Sequence, residues 1–227
     1  KLYLIDNGVG TKFDEKMMGI YDIDFSTHSL EASFKEHGFK FSDVTDVIFT
    51  HLHFDHCGGT SYYDSEGKSI FTFPNANYHV NKAHWQTAIN PNAREQASFL
   101  KENIEPLKAT SRVNLVDDGH EFEPGLSTIV VNGHTLGQQL PKIEGEGKTI
   151  VFVADLLATH VHVPLAWVMG YDMYPAETLL EKERFLKEAS DKNWNLFLEH
   201  DYYQEIIKIG FERNRFSVSE TKTLNDV

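Results

Sequence analysis

Apolar and polar positions along this chain change period several times. Short runs rich in β-branched and aromatic residues fall at 2–5, 44–50, 69–73, 77–80, 127–131, 149–154 and 194–198. A further pair, 204–209 and 215–218, closes the chain. Runs of this length and composition predict strands. Spacing of three to four residues between apolar positions predicts helices at about 29–37, 81–88, 92–108 and 175–191. The last begins with Pro175 and carries Leu179, Leu180, Phe185 and Leu186 among many charges. Strands and helices interleave, so the fold class is α/β or α+β. No heptads, low-complexity stretch or short repeat breaks the pattern, and 227 residues suit a single domain over 1–227.

The strand ends carry the functional signal. The run 2–5 leads into Asp6-Asn7-Gly8 and the run 44–50 into His51. The run 127–131 leads through Asn132-Gly133 into His134, 149–154 into Asp155, and 194–198 through Glu199 into His200. Ligand sites of layered sheet proteins gather at strand ends. Five polar clusters so placed predict one site assembled from distant segments.

The densest cluster is His51-Leu52-His53-Phe54-Asp55-His56-Cys57-Gly58-Gly59. Imidazole and carboxylate are good metal ligands. His51 and His53 are two apart, so an extended backbone turns them to one side, where they grip one metal. Asp55 and His56 follow where Gly58-Gly59 lets the chain turn, and aim at a second position. Two cations about 3.5–4 Å apart form a clamp common in hydrolytic enzymes. Hydrogen-bonded structural histidines are the competing reading, and the density of the run argues against it. Taken singly, His134 would be a turn residue, Asp155 a helix cap and His200 a surface residue. Their shared strand-end placement makes them ligand candidates.

Composition narrows the substrate. Acidic residues outnumber basic ones 34 to 21, for a net charge of −13. Such a surface repels polyanions, so nucleic acid is not the expected partner. No run is apolar enough to span a membrane and no secretory signal is read; the location stays open, with the cytoplasm slightly favoured. The chain opens at Lys1 directly into a strand-like run without an initiator methionine, and an upstream segment is expected to have been removed or left out. The single cysteine, Cys57, excludes an intrachain disulfide and reads as a small buried residue.

The motif His-x-His-x-Asp-His at 51–56, followed by His134, Asp155 and His200, resembles the signature of metallo-β-lactamase-fold hydrolases, and Asp6-Asn7-Gly8 resembles their early Asp-x-Gly turn. The resemblance covers nearly the whole chain. It implies a four-layer αβ/βα sandwich whose first strands are missing here. It also implies that His51, His53 and His134 bind one metal, that Asp55, His56 and His200 bind a second, and that Asp155 bridges them. Asp6 would orient the ligand loop through hydrogen bonds. Two zinc ions are the first expectation, with manganese or iron as alternatives. The implied chemistry is hydrolysis by a metal-bridging hydroxide, with Asp55 and Asp155 as the catalytic carboxylates.

Departures from the pattern narrow the branch. Histidine at 53 disfavours the diiron flavoproteins, and a bridging aspartate disfavours the true β-lactamases. The segment Gly133-His134-Thr135-Leu136-Gly137-Gln138 resembles the turn of glyoxalase II and lactonase relatives. Gln138 replaces the usual glyoxalase II histidine, which places a thioesterase second. The stretches 154–157, 167–172 and 197–201 resemble the lactonase and methyl-parathion-hydrolase-like branch. Lactonases of that branch carry a tyrosine three residues after the bridging aspartate; here that position is Ala158, with His160, Tyr171 and Tyr174 as candidate replacements. His160, Trp167, Met169, Tyr171, Tyr174 and Phe25 are the expected pocket walls, beside His162, Met17, Met18 and Tyr21, and favour a small hydrophobic ester, lactone or organophosphate-like substrate. Core packing or a homodimer interface is the competing reading for any one of these aromatics. A non-hydrolytic, redox or binding member of the fold is the third reading.

Overall fold

The apolar run that feeds the histidine motif is buried on both faces: Val47, Ile48 and Phe49 are fully inaccessible. An inner strand of a parallel sheet requires this. The computed structural model describes residues 1–26 and 28–227. They form two compact units, Lys1–Val116 and Asp117–Val227.

The first unit contains β1 (Tyr3–Ile5), α1 (Glu15–Tyr21), α2 (Leu30–Glu36), β2 (Asp46–Ile48), the single turn α3 (Phe54–Cys57), β3 (Ser61–Tyr63), β4 (Ser69–Phe71), β5 (Asn77–Asn81), α4 (Lys82–Ile89), α5 (Lys101–Lys108) and β6 (Val113–Val116). Strands β1, β2, β5 and β6 form a sheet in that order, every pair parallel, and β3 pairs with β4 as a hairpin. Its core gathers Val47, Phe49, Leu52, Phe73, Tyr78, Val80, Ile104 and Leu107.

The second unit contains β7 (Glu121–Glu123), β8 (Leu126–Val131), β9 (Gln138–Gly145), β10 (Lys148–Phe152), α6 (Pro175–Asp191), β11 (Asn195–Phe197), β12 (Ile206–Glu212) and β13 (Arg215–Lys222). They form one seven-stranded sheet in the order β13-β12-β11-β10-β9-β8-β7. Only β10 and β11 pair in parallel, and the connection between them carries α6. Its separate core includes Leu140, Val151, Phe185, Leu186, Trp194, Leu196 and Ile207.

The predicted helix at 92–108 shortens to Lys101–Lys108. Asn92 Oδ1 accepts from the backbone N–H of Arg94 and Glu95, at 2.9 and 3.1 Å, closing a turn that competes with the helix. Strands β3, β6, β7 and β9 escaped the sequence pattern. β6 and β7 are short with mixed polarity, and β9 opens on a polar Gln138-Gln139 pair that is fully buried. In α6 the predicted span is met, but Leu179 and Leu180 are 38% and 48% exposed. The buried face is Thr178, Lys182, Phe185, Leu186 and Ala189, spaced for one side of the helix.

Three close backbone contacts need glycine. A Cβ on Gly58 would collide with the Val9 carbonyl, and one on Gly59 with that of Asn7. At Gly133 it would lie 2.5 Å from Thr178 N. Gly58→Ala is expected to destabilise by about 1–3 kcal/mol. Gly19→Ala, inside α1 with nothing within 4 Å of the new Cβ, should instead stabilise by up to about 1 kcal/mol. Urea midpoints at unchanged m-value read both effects.

Candidate metal centre

In the first unit one carboxylate holds two of the motif's three histidines, His51 and His56. Asp6, 2% exposed, ends β1 in a left-handed conformation (φ 51°), and its N–H donates to Ile48 O at the end of β2 (3.1 Å). Its Oδ1 accepts from Thr50 N (2.8 Å), and its Oδ2 accepts from Thr50 Oγ1 (2.6 Å) and lies 3.0 Å from His56 Nδ1. Thr50 Oγ1 also stands 3.0 Å from His51 Nδ1.

The proton count then sets two tautomers. A carboxylate only accepts, and a hydroxyl has one proton. The Thr50 hydroxyl spends it on Asp6, so His51 Nδ1 must donate to Thr50. His56 Nδ1 likewise donates to Asp6. In its neutral form each ring so held keeps Nε2 as the lone-pair nitrogen, the form a metal takes.

His53 is held the other way round. Its Nε2 faces Glu95 Oε1 at 3.2 Å, leaving Nδ1 as the lone-pair nitrogen. Glu95 is buried, and its second oxygen accepts from Asn92 Nδ2 (3.3 Å). Leu52 N, between the two ligand candidates, donates to His84 Nε2 at 2.7 Å. The rings of His51 and His53 have centroids 4.4 Å apart, and those of His51 and His56 3.9 Å. Asp55 Oδ2 lies 3.6 Å from His56 Nε2.

The second unit builds its own set. His134 follows Gly133 beyond β8, and its Nδ1 is 3.1 Å from Asp172 Oδ1. Thr178 Oγ1 donates to the other oxygen of Asp172 (2.9 Å). In its neutral form the ring so held carries its lone pair on His134 Nε2, which lies 3.2 Å from Asp155 Oδ2. His200 Nε2 stands 3.0 Å from Asp155 Oδ1. Each oxygen of Asp155 thus has one imidazole nitrogen beside it.

These spacings fit divalent cations. Two donors each about 2.0–2.2 Å from one cation stand roughly 3–3.5 Å apart. The six candidates of the sequence motif, with Asp155, are all among the chain's side chains able to hold a metal ion. The donors are imidazole and carboxylate, the set zinc accepts.

The first unit brings together Asp6, His51, His53, Asp55 and His56; the second brings together His134, Asp155 and His200. Phe25 lies in the first unit and is 38% exposed. His160, Trp167, Met169, Tyr171 and Tyr174 lie between β10 and α6, with Trp167, Tyr171 and Tyr174 exposed by 60%, 82% and 49%. Tyr21 is not a lone wall residue: its ring packs on Phe13 and Phe54 at centroid distances of 5.6 and 4.9 Å. Ala158 is buried. His160 donates its backbone N–H to Asp201 Oδ2 (2.7 Å), and its Nδ1 meets the same oxygen. Burial alone would raise the Asp201 pKa, but the hydrogen bonds from His160 and Tyr203 hold it below the usual carboxylate value.

Sequence reasoning missed Thr50, His84, Glu95, Asp172, Thr178 and Glu181. Thr50 and Asp172 adjoin motif residues, and the Asn81 cap marks the helix that carries His84. Glu95 sits in an irregular turn and gives no sequence signal.

Cys57 is fully buried, its Sγ contacts Leu52 O at 3.3 Å, and burial pushes its pKa up to about 12. The native thiol should therefore resist alkylation at neutral pH, and one equivalent should react after denaturation. Asp6→Ala should lower metal affinity about 10–100-fold, read by competition with a chromophoric chelator.

Residues 1–200 match the metallo-beta-lactamase superfamily domain. An N-acyl homoserine lactonase of Bacillus cereus is 27% identical over 172 residues, which are 75% of this chain and 61% of that protein. The chain thus spans about three fifths of the curated relatives it matches. A probable metal-dependent hydrolase from Staphylococcus aureus is 27% identical and superimposes with a TM-score of 0.83, over 97% of this chain and 79% of its own. The dizinc quorum-quenching lactonase AidC, solved with a product, shares the fold at 23% identity and a TM-score of 0.76, over 99% and 77%. The mixed α/β architecture is that of metallo-beta-lactamase-fold hydrolases, and the chain belongs to the metallo-beta-lactamase superfamily.

Proposed function

We propose that the two units act as one metallo-hydrolase domain that holds two divalent cations, zinc first, and hydrolyses a small hydrophobic ester or lactone. In this reading His51, His53 and His134 hold one cation, Asp55, His56 and His200 the other, and Asp155 serves both. The observation that carries it is the Asp155 carboxylate, with His134 beside one oxygen and His200 beside the other, at 3.2 and 3.0 Å. A carboxylate that presents each oxygen to a different donor suits a shared ligand. Family membership and the similarity to lactonases support the same reading.

Bound there, such cations supply an acidified water and polarise the acyl oxygen of the substrate. The chain's own residues prepare that chemistry. Asp6 and Thr50 fix the His51 and His56 tautomers, Glu95 fixes His53, and Asp172 fixes His134. Asp55, 38% exposed at its side chain, is the carboxylate placed to orient a water. Trp167, Met169, Tyr171, Tyr174 and Phe25 offer apolar walls to the acyl part.

His160 takes the place of the lactonase tyrosine missing at Ala158. Its side chain is tied to a ligand strand end, because Asp201, which holds it at Nδ1, follows His200 directly. With Nδ1 committed to Asp201, Nε2 is the ring position left for the substrate's leaving oxygen. Tyr171, 82% exposed, has no comparable anchor in the sequence of ligand residues.

Metal-loaded protein should carry two zinc or manganese ions per chain, and chelation should lower both activity and Tm. Among lactones, aryl esters, phosphotriesters and S-lactoylglutathione, a lactone or aryl ester should turn over fastest. His51→Ala and Asp155→Ala should each cut kcat/KM by about 100-fold or more, since even residues behind the ligands are worth 10–100-fold. Full activity in either variant would sink the assignment, and fastest turnover of S-lactoylglutathione would favour a thioesterase.

A further inference from the structure

A lysine is buried where packing alone would be better served by methionine or leucine. Lys182, on the inner face of α6, is fully inaccessible. Its ammonium donates to the carbonyls of Pro164 (3.1 Å), Leu165 (3.3 Å) and Trp167 (2.6 Å). All three protons are used, and all three acceptors lie within one four-residue stretch. Burying an ammonium among neutral carbonyls is costly. Burial pushes its pKa down to about 8, against the opposing charge of Asp172. What the arrangement returns is a defined course for the backbone at 164–167, the stretch that presents Trp167.

The same helix face holds the metal-ligand candidate. Glu181 accepts from the backbone N–H of Asn132 (2.7 Å) and Gly133 (2.9 Å), directly before His134. Thr178 donates to Asp172, the partner of His134 Nδ1. The far end of the wall segment returns to the ligand turn: Met173 N donates to His134 O (3.0 Å) and Tyr174 N to Gly133 O (2.8 Å). One turn of α6 therefore grips the ligand turn through Glu181, its backing carboxylate through Thr178, and the aromatic wall through Lys182.

We propose that Lys182 is a positioning residue that sets the Trp167–Tyr171 wall relative to His134 and thereby sets the preference for large acyl groups. The specificity part rests on the hydrolase reading above; the positioning part does not. The geometry gives Lys182 no contact with a metal-ligand candidate, so its loss acts on the wall and spares metal binding. The expected signature is a KM effect that grows with substrate size.

The test compares wild type, Lys182→Met and Lys182→Arg as zinc-loaded protein. Lys182→Met keeps the side-chain volume and removes the donors. For γ-decalactone its KM should rise about tenfold, with kcat within about threefold. For γ-butyrolactone, which lacks the alkyl chain, KM should change by less than about twofold. Zinc stoichiometry should stay the same, and Lys182→Arg should recover most of the γ-decalactone effect. Independently of any activity, hydrogen–deuterium exchange at 164–168 should speed up about tenfold or more in Lys182→Met, and Trp167 fluorescence should be quenched more readily by acrylamide. If Lys182→Met does not fold, Lys182→Gln replaces it with the same readouts. Unchanged exchange and quenching would overturn the positioning role. Faster exchange with an equal loss on both lactones, or with loss of zinc, would overturn the specificity role. If wild type hydrolysed neither of these lactones nor an aryl ester, the hydrolase reading would fail while exchange and quenching still decided the positioning role.

Discussion

His51 and His56 of the candidate metal centre in the first unit depend on one buried negative charge. Asp6 is almost inaccessible, and a carboxylate in that position is stable only if donors surround it. The donors it collects are Thr50 N, Thr50 Oγ1 and His56 Nδ1. Satisfying that single charge ties the end of β1 to the end of β2, orients His56, and through the Thr50 hydroxyl orients His51. The left-handed backbone at Asp6 is the local strain accepted for this. Metal chemistry would then inherit its ligand geometry from a hydrogen-bonding requirement.

Close backbone approach does the rest. Gly58 and Gly59 pack against the carbonyls of Val9 and Asn7, while Asn7 N donates to His56 O and Gly59 N to Gly8 O. The histidine loop is thus stitched to the turn that carries Asp6, and Lys12 Nζ reaches the Ser61 carbonyl at 2.6 Å on the same side. In the second unit Gly133 lets the first turn of α6 press directly on the ligand turn. In both places the missing Cβ admits another backbone, and the adjacent histidine has little freedom left. A loop with fewer such contacts would have to order itself each time a cation bound.

Carboxylate-backed histidine recurs through the molecule: Asp6 with His56, Glu95 with His53, Asp172 with His134 and Asp201 with His160. The backing contact alternates between Nδ1 and Nε2. His53 is reached from a turn on its Nε2 side, whereas the others are held at Nδ1. The ring nitrogen left over is therefore Nδ1 for His53 and Nε2 for His51, His56 and His134. Mixed use of the two nitrogens lets neighbouring histidines of an extended run converge although their backbones are offset.

The sequence by itself determined the candidate ligand set. Three histidines and an aspartate in six residues, and further polar clusters at strand ends, are legible because metal ligands must be of few types and must sit where a strand stops. It also determined α6 and most inner strands, because burial on one or both faces leaves a periodic apolar record. Tertiary structure alone decided the partners. Glu95 carries no motif, the start of the predicted helix at 92–108 gave way to an Asn92 turn, and the inner face of α6 uses Thr178 and Lys182 where Leu179 and Leu180 looked apolar enough. These residues are chosen by hydrogen-bond complementarity with groups far along the chain. That complementarity has no period and no local composition, so it becomes visible only once folding brings the partners together.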